Sequence, residues 1–256
     1  MLSHTLDILL PAFVAGLLVI ATHVPLGQLV LDRGIVFIDL AIAQVAGLGV
    51  VVADFLGWET GDWSVQASAV AAALLSAGLL IWTERRLAAV QEAIIGVIFV
   101  VAASAEIILL GFNPHGAEHL KDLLVGQILW VSIDQLVPVA VVYAGVLAVW
   151  YFADLAKRRV LFYAAFAVTI TASVQLVGVF LVFASLIIPV LAAWSLPRRK
   201  QLATAYAVGL AGYVAGLLAS ATIDVPTGAA VVCALALIAV LLGALRGLRA
   251  LPAKPG

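Results

Sequence analysis

Three polar side chains interrupt apolar stretches of the sequence that are otherwise suited to cross a bilayer. Asp39 and Gln44 lie in DRGIVFIDLAIAQVAGLG, and Glu106 lies in VAASAEIILL. A carboxyl group near bilayer depth costs roughly 2.5–3.5 kcal/mol on insertion scales, so such groups usually face a bundle interior or a polar pathway. The sequence predicts that Asp39 and Glu106 line a pathway, with Gln44 as a secondary ligand. Two alternatives stay open: Asp39 could cap the start of its helix, and Glu106 could reach the outer interface or bond a serine or backbone group of a neighbouring helix.

A second group of candidate ligands lies in the polar stretch NPHGAEHLKD, which holds two of the four histidines. If this stretch is helical, His115 and His119 lie one turn apart on one face, and Glu118 lies three residues after His115. This spacing and chemistry are typical of zinc ligands, so we expect an external metal acceptor here. The alternative is a solvated loop helix capped by Asn113. The letters H-x-x-E-H also match a metalloprotease signature, but no soluble catalytic domain or further ligand accompanies them.

The composition defines the class of protein. Of 256 residues, 65% are hydrophobic and 11% are charged, and the mean hydropathy is +1.23, whereas soluble domains are about 25% charged. The sequence predicts an all-α, polytopic membrane bundle that forms a single transmembrane permease domain over residues 1–256. The net charge of −1 argues against nucleic-acid binding, and one cysteine excludes a disulfide framework within the chain.

The apolar runs predict eight or nine crossings. The run 124–153 contains a polar interruption at Ser132–Gln135, which predicts a short entering helix before the full span. The run 160–196 is too long for one crossing, and Gly178 near its middle predicts that it bends back as two pieces. We therefore expect nine passes, with eight as the alternative, from runs at about 6–23, 35–57, 63–82, 91–111, 124–153, 160–196, 201–221 and 227–245.

Basic residues predict the orientation. Twelve of the 13 Lys and Arg fall in five joints, which nine passes place on one side of the membrane. By the positive-inside rule that side is the cytoplasm, so the N-terminus is expected outside and the C-terminus inside. The five joints are Arg33, Arg85 with Arg86, 157–159, 198–200, and the tail with Arg246, Arg249 and Lys254.

Small and polar positions inside the spans have more ordinary interpretations. Gly212 and Gly216 form a GxxxG pattern, which we assign to packing within the chain rather than to a dimer contact. The sixth span has a polar side, which could line a pathway or satisfy hydrogen bonds between helices. Both interpretations stay open. The members of this polar side are Thr169, Thr171, Ser173 and Gln175.

Five short segments occur in an order and spacing that resemble a known family. They are Pro25–Gly27, read as a turn leading to Arg33 and Ile38–Asp39; Glu92–Gly96; Leu124–Ser132; Val177–Val182 with Ile188–Pro189; and Asp224–Gly228. Between about residue 25 and residue 230 the chain is similar to the permeases of zinc/manganese-type ABC importers. The resemblance rests on the ordered set, because each segment is short and apolar.

The resemblance implies a membrane subunit that works as a homodimer with two cytoplasmic ATP-binding subunits. An extracytoplasmic binding protein would supply a divalent metal, with zinc ahead of manganese or iron, and alternating access would carry it across the inner membrane. The chain would not itself be an enzyme or hold a permanent cofactor, and it lacks a GxxxxGK[ST] phosphate loop. Two alternatives stay open: a permease for a metal chelate or small cofactor, and a metal-binding scaffold or sensor without transport.

Three departures from the family pattern affect what the resemblance implies. Where the family has a histidine four residues after the aspartate, this chain has Ala43, so Asp39 carries over alone. Glu106 stands where the family pattern is apolar. The joint after the fifth span is about ten residues shorter, and only Asp154–Arg159 precede the next apolar run. This short joint could dock a modified ATPase, coupling could have moved elsewhere, or ATP could be used in another way.

Overall fold

The computed structural model describes residues 2–58, 63–110, 126, 128–223 and 225–245. These residues form nine α-helices and two single-turn 3₁₀ segments, and they contain no β-strand. The 3₁₀ segments are Ala88–Val90 and Ile128–Trp130. The helices are α1 (Leu2–Arg33), α2 (Ile38–Phe55), α3 (Trp63–Arg86), α4 (Gln91–Leu110), α5 (Ile133–Ala153), α6 (Arg159–Val177), α7 (Val179–Ala193), α8 (Arg198–Ile223) and α9 (Thr227–Leu245).

The predicted all-α membrane bundle is confirmed. Within the described ranges, eight helices are long and apolar enough to cross a membrane, and α7, with 15 residues, is a shorter apolar helix. Exposed aromatic side chains mark both ends of the bundle, as expected where rings sit at the headgroup level. Trp58, Trp63 and Trp130 are exposed at one end, and Trp82 and Tyr151 are exposed at the other.

Contacts bring the basic joints together at one end. The Arg33 guanidinium donates to the carbonyl oxygens of Leu155 and Ala156, both at 3.1 Å, and lies 3.9 Å from the Glu84 carboxylate at the end of α3. Arg198, at the start of α8, donates to Asp32 at 2.7 Å. Four of the five predicted joints therefore share one end, which we call the basic end; the fifth lies outside the described residues. That this end faces the cytoplasm stays a prediction.

The chain reverses direction between α6 and α7, as the long apolar run predicted. Phe162 near the start of α6 lies under Arg33, and Arg198 after α7 bonds Asp32, so both helices have one terminus at the basic end. The reversal occurs at buried Gly178, whose φ of 80° and ψ of 161° are accessible essentially only to glycine. Gly126 packs directly on the backbone at Val177 and Gly178, where any side chain would overlap it.

One local expectation was wrong, and a second is described only in part. The segment Pro25–Gly27 is not a turn, because α1 continues through it to Arg33. Gly27 instead lets the Leu186 carbonyl of α7 approach the α1 backbone closely. In the segment 124–132, where a short entering helix was expected, the described residues hold a 3₁₀ turn, and residues 124, 125 and 127 lie outside the described residues. The polar residues at 132–135 cap α5. Ser132 and Gln135 form a reciprocal capping box, which satisfies two backbone N–H groups at the helix start.

Small residues bring the other helices into close contact. Gly212 and Gly216 of α8 lie against Leu235 and Val231 of α9, so the GxxxG pattern serves packing within the chain, as predicted. Among the eight helices long enough to span a membrane, α1, α2 and α6 are the most buried, whereas α4, α5 and α9 show most of their surface to the surroundings. A carboxylate on α4 therefore avoids lipid only if it points at α2 or α3.

Candidate functional site

Glu106 and Gln44 join α4 to α2 in the interior of the bundle. Glu106 is only 1% exposed, and the side-chain amide of Gln44 donates to its Oε2. Gly47, three residues after Gln44 on α2, leaves the space that the carboxylate occupies, since a Cβ there would overlap Glu106 Oε1. Sequence reasoning selected both residues as candidates, and the structure brings them together.

The second oxygen of Glu106 has no protein partner among the described residues. Oε1 is buried and accepts no hydrogen bond within them. Buried polar atoms in native proteins are nearly always satisfied, so such an atom calls for a ligand, a water or an ion. Carboxylate and amide oxygens are ligands for hard and borderline divalent cations. Here the amide nitrogen of Gln44 faces the carboxylate.

Asp39 is buried separately from this pair. It is the second residue of α2 and is 1% exposed. Neither carboxylate oxygen has a hydrogen bond of ordinary geometry within the described chain, although the backbone N–H groups of Asp39 and Leu40 lie nearby. Five residues separate Asp39 from Gln44, which places the two side chains about 140° apart around the helix. Both interpretations of Asp39, as a pathway group and as a group at the helix start, stay predictions.

Only some of the candidate metal ligands lie within the described residues. Among the described residues, no group of three His, Cys, Asp or Glu side chains is close enough to hold a metal ion. His115, Glu118 and His119 lie outside the described residues, so the external acceptor stays a prediction. Asp39 and Glu106 do not come together as parts of such a group.

His23 is a buried group that sequence reasoning left aside. The first apolar run, at about 6–23, ends at this residue, but α1 continues ten residues further, to Arg33, and His23 is fully buried. Its Nδ1 lies 2.9 Å from the Val19 carbonyl oxygen, and its Nε2 has no partner among the described residues. The apolar residues after Pro25 are the signal that the helix continues and that His23 lies within it.

The polar side of α6 is satisfied by hydrogen bonds. Thr169 donates to Ala165 at 2.8 Å and Thr171 donates to Ala167 at 2.8 Å, each four residues back along the helix. Ser173 also bonds the hydroxyl of Tyr143 on α5. These buried hydroxyls therefore have structural partners, whereas Gln175 is exposed.

The basic end carries a dense set of charges. Glu84 lies 3.9 Å from Arg33 and 3.7 Å from Arg159. In the short joint between α5 and α6, Lys157 bonds Asp154 at 2.8 Å. The hydrogen bond and the attraction of Asp154 raise the pKa of Lys157, so this side chain is a cation at neutral pH. Arg33 therefore attaches α1, α3 and the joint to one another.

The fold is that of a polytopic, all-helical membrane protein. The sequence matches the model of the ABC 3 transport family over residues 5–157 and 153–246, and the chain belongs to this family of ABC-transporter permeases. The fold is similar to that of PsaBC from Streptococcus pneumoniae in complex with Fab, with 20% identity, a TM-score of 0.76 and 95% of each chain covered. It is also similar to a structure described as an inward-facing, metal-chelate type ABC transporter, with 14% identity, a TM-score of 0.64, and 93% of this chain and 85% of that one covered. At these identities the likenesses establish the fold alone.

Proposed function

We propose that this ABC importer permease moves a divalent transition metal ion across the membrane by alternating access, with zinc ahead of manganese or iron. Family membership supports the permease class. The metal is a proposal that rests on the chemistry of buried side chains. Glu106 gives the strongest support for a metal ion, because a carboxylate that is 1% exposed and has one oxygen without a protein partner among the described residues is suited to hold a cation.

The proposed pathway passes beside α2. Glu106 and Gln44 would supply oxygen ligands, Asp39 would lie nearer the basic end, and His115, Glu118 and His119 would accept the metal outside. Oxygen ligands are harder than the Asp and His pair of the family pattern, so the pair on α2 and α4 suits manganese or iron as well as zinc. We keep zinc first because the proposed external ligands include two imidazoles.

The proposed assembly follows the family. An ATP-binding subunit and an extracytoplasmic binding protein would act with this chain, as family membership implies. We further propose a homodimer in the inner membrane with the basic end in the cytoplasm, and ATP hydrolysis in the separate subunit. Residues 154–156 of the joint, the part attached to Arg33, would be part of the surface that this subunit meets.

Metal flux tests the proposal directly. We expect Glu106→Gln and Asp39→Asn each to lower ATP-dependent uptake of radioactive zinc or manganese in proteoliposomes that contain the partner subunits. Uptake is expected to fall about tenfold or more, since even residues that only hydrogen-bond a metal's ligands change the metal affinity by that factor. Asp134→Asn, which removes an exposed acid at the start of α5, is the matched control and should transport normally.

Three results would contradict the proposal. Normal metal flux in both pathway variants, with normal membrane insertion, would exclude the carboxylates from the path. Competition by a metal chelate but not by the bare ions would favour a chelate permease. Binding of metal without any flux in the complete system would favour a scaffold or sensor.

A further inference from the structure

An open groove at the basic end is lined by cationic side chains and by the apolar start of α6. Its volume is about 540 Å³. The cations come from the end of α3 and from the short joint before α6, and all four are exposed. The basic groove is defined by Arg85, Lys157, Arg158 and Arg159 at its rim and by Val160, Leu161 and Ala164 at its wall.

The charge of the basic groove stays positive after its ion pairs are considered. Asp154 pairs with Lys157, and Glu84 lies 3.7 Å from Arg159 but is shared with Arg33. Within the described part of the chain, neither Arg85 nor Arg158 forms an ion pair. The N–H groups of the first turn of α6 add partial positive charge at the same place. An anion with two or more oxygens would therefore find free guanidinium donors here.

The wall of the basic groove faces the lipid rather than the bundle interior. Val160 is 58% exposed, and Trp82, three residues before Arg85 on the same face of α3, is 56% exposed. Tyr151 and Phe152, just before the joint, are also exposed. Aromatic side chains of this kind lie at the membrane–water boundary, so the cations stand at headgroup depth with apolar surface beside them.

We propose that the basic groove binds the headgroup of an anionic phospholipid. The phosphate would lie between Arg85 and Arg158, and an acyl chain would pack along Val160 and Ala164 on α6. Basic pockets between membrane helices that combine these two features bind acidic lipid headgroups. The occupant would hold the end of α3 and the start of α6 together, and its binding does not depend on which solute the permease moves.

Native mass spectrometry of the purified chain tests this site. The protein is equilibrated with phosphatidylglycerol and phosphatidylcholine of the same acyl chains. We expect the wild type to retain phosphatidylglycerol preferentially. The variant Arg85→Gln/Arg158→Gln, which leaves the ion pairs intact, should lose that preference by about tenfold, since each basic side chain near an anionic lipid contributes substantially. The conservative variant Arg85→Lys/Arg158→Lys should keep most of it.

The matched control is Arg199→Gln/Lys200→Gln, which removes two exposed basic residues at the same end but outside the basic groove. It should retain phosphatidylglycerol as the wild type does. Equal loss in this control would show nonspecific charge attraction and overturn the proposal. Complete displacement by excess inorganic phosphate would instead indicate a free-anion site. If Arg85→Gln/Arg158→Gln keeps its preference for phosphatidylglycerol but no longer self-associates or binds the ATP-hydrolysing subunit, the basic groove is a protein-binding surface and the proposal is overturned.

Discussion

Two features of α2 hold Glu106 in place. The Gln44 amide satisfies one carboxylate oxygen, and the missing side chain of Gly47 provides room for the other. The carboxylate is therefore held in the bundle interior, where removing one partner of a polar pair costs more than removing both. The interaction between Gln44 and Glu106 can therefore be measured by comparing the loss of one partner with the loss of both.

We expect Gln44→Leu to destabilise the fold by about 1–3 kcal/mol, because Glu106 would keep its burial and lose its donor. The double variant Gln44→Leu/Glu106→Leu should recover most of that loss. Thermal unfolding of the four proteins in detergent gives the coupling free energy through a double-mutant cycle. Additive effects in the cycle would mean that the two side chains do not interact.

Gly47→Ala should displace the Glu106 carboxylate. We expect a loss of about 1–3 kcal/mol in stability, as for other overpacked sites, together with reduced metal flux. Gly96→Ala on α4 is the control, because an added Cβ there meets nothing within 4 Å. The melting temperature of each variant measures the difference, and equal melting temperatures would refute the close contact.

At the scale of elements, Gly178 decides how two helices follow one another. Its backbone conformation strains any other residue by about 1–3 kcal/mol. We expect Gly178→Ala to lower the melting temperature in detergent. Gly145→Ala in the middle of α5, where a Cβ meets nothing within 4 Å, should raise it slightly or leave it unchanged. Equal behaviour of the two variants would argue against the reversal at Gly178.

The sequence predicted the elements better than their contacts. The break followed from the length of the run 160–196, which is too great for one crossing, and Gly178 near its middle indicated where the break lies. The helix through Pro25 was missed, since a proline and a glycine near a basic residue are also typical of a turn. The pairing of Gln44 with Glu106 was not predictable, because 62 residues separate them and neither periodicity nor spacing specifies which helices become neighbours.

At the scale of the molecule, Arg33 connects the parts that meet at the basic end. Its guanidinium bonds two carbonyl oxygens of the short joint, lies near Glu84 of α3 and covers the Phe162 ring of α6 at 4.3 Å. Hydrogen bonds to charged groups contribute about 1.5–3 kcal/mol each, more than neutral ones. The joint is therefore held by the bundle as well as by its own backbone.

Arg33→Gln should loosen this joint. We expect amide hydrogens of residues 155–158 to exchange with deuterium about tenfold faster or more, because the charged hydrogen bonds to Leu155 and Ala156 are lost. Arg86→Gln, an exposed arginine at the end of α3, is the control and should exchange as the wild type does. Unchanged exchange in Arg33→Gln would show that the joint is rigid without it.

The attachment of the joint to Arg33 has a mechanical consequence. One guanidinium attaches residues 155 and 156 to helices that begin or end at the basic end. If the proposed ATP-binding subunit moved this joint, the movement would therefore reach three helices at once. A longer joint would extend further from the bundle, but it would not be attached more firmly to those helices. If the proposed ATP-binding subunit docks at this joint, its movement would reach these helices even though the joint is short.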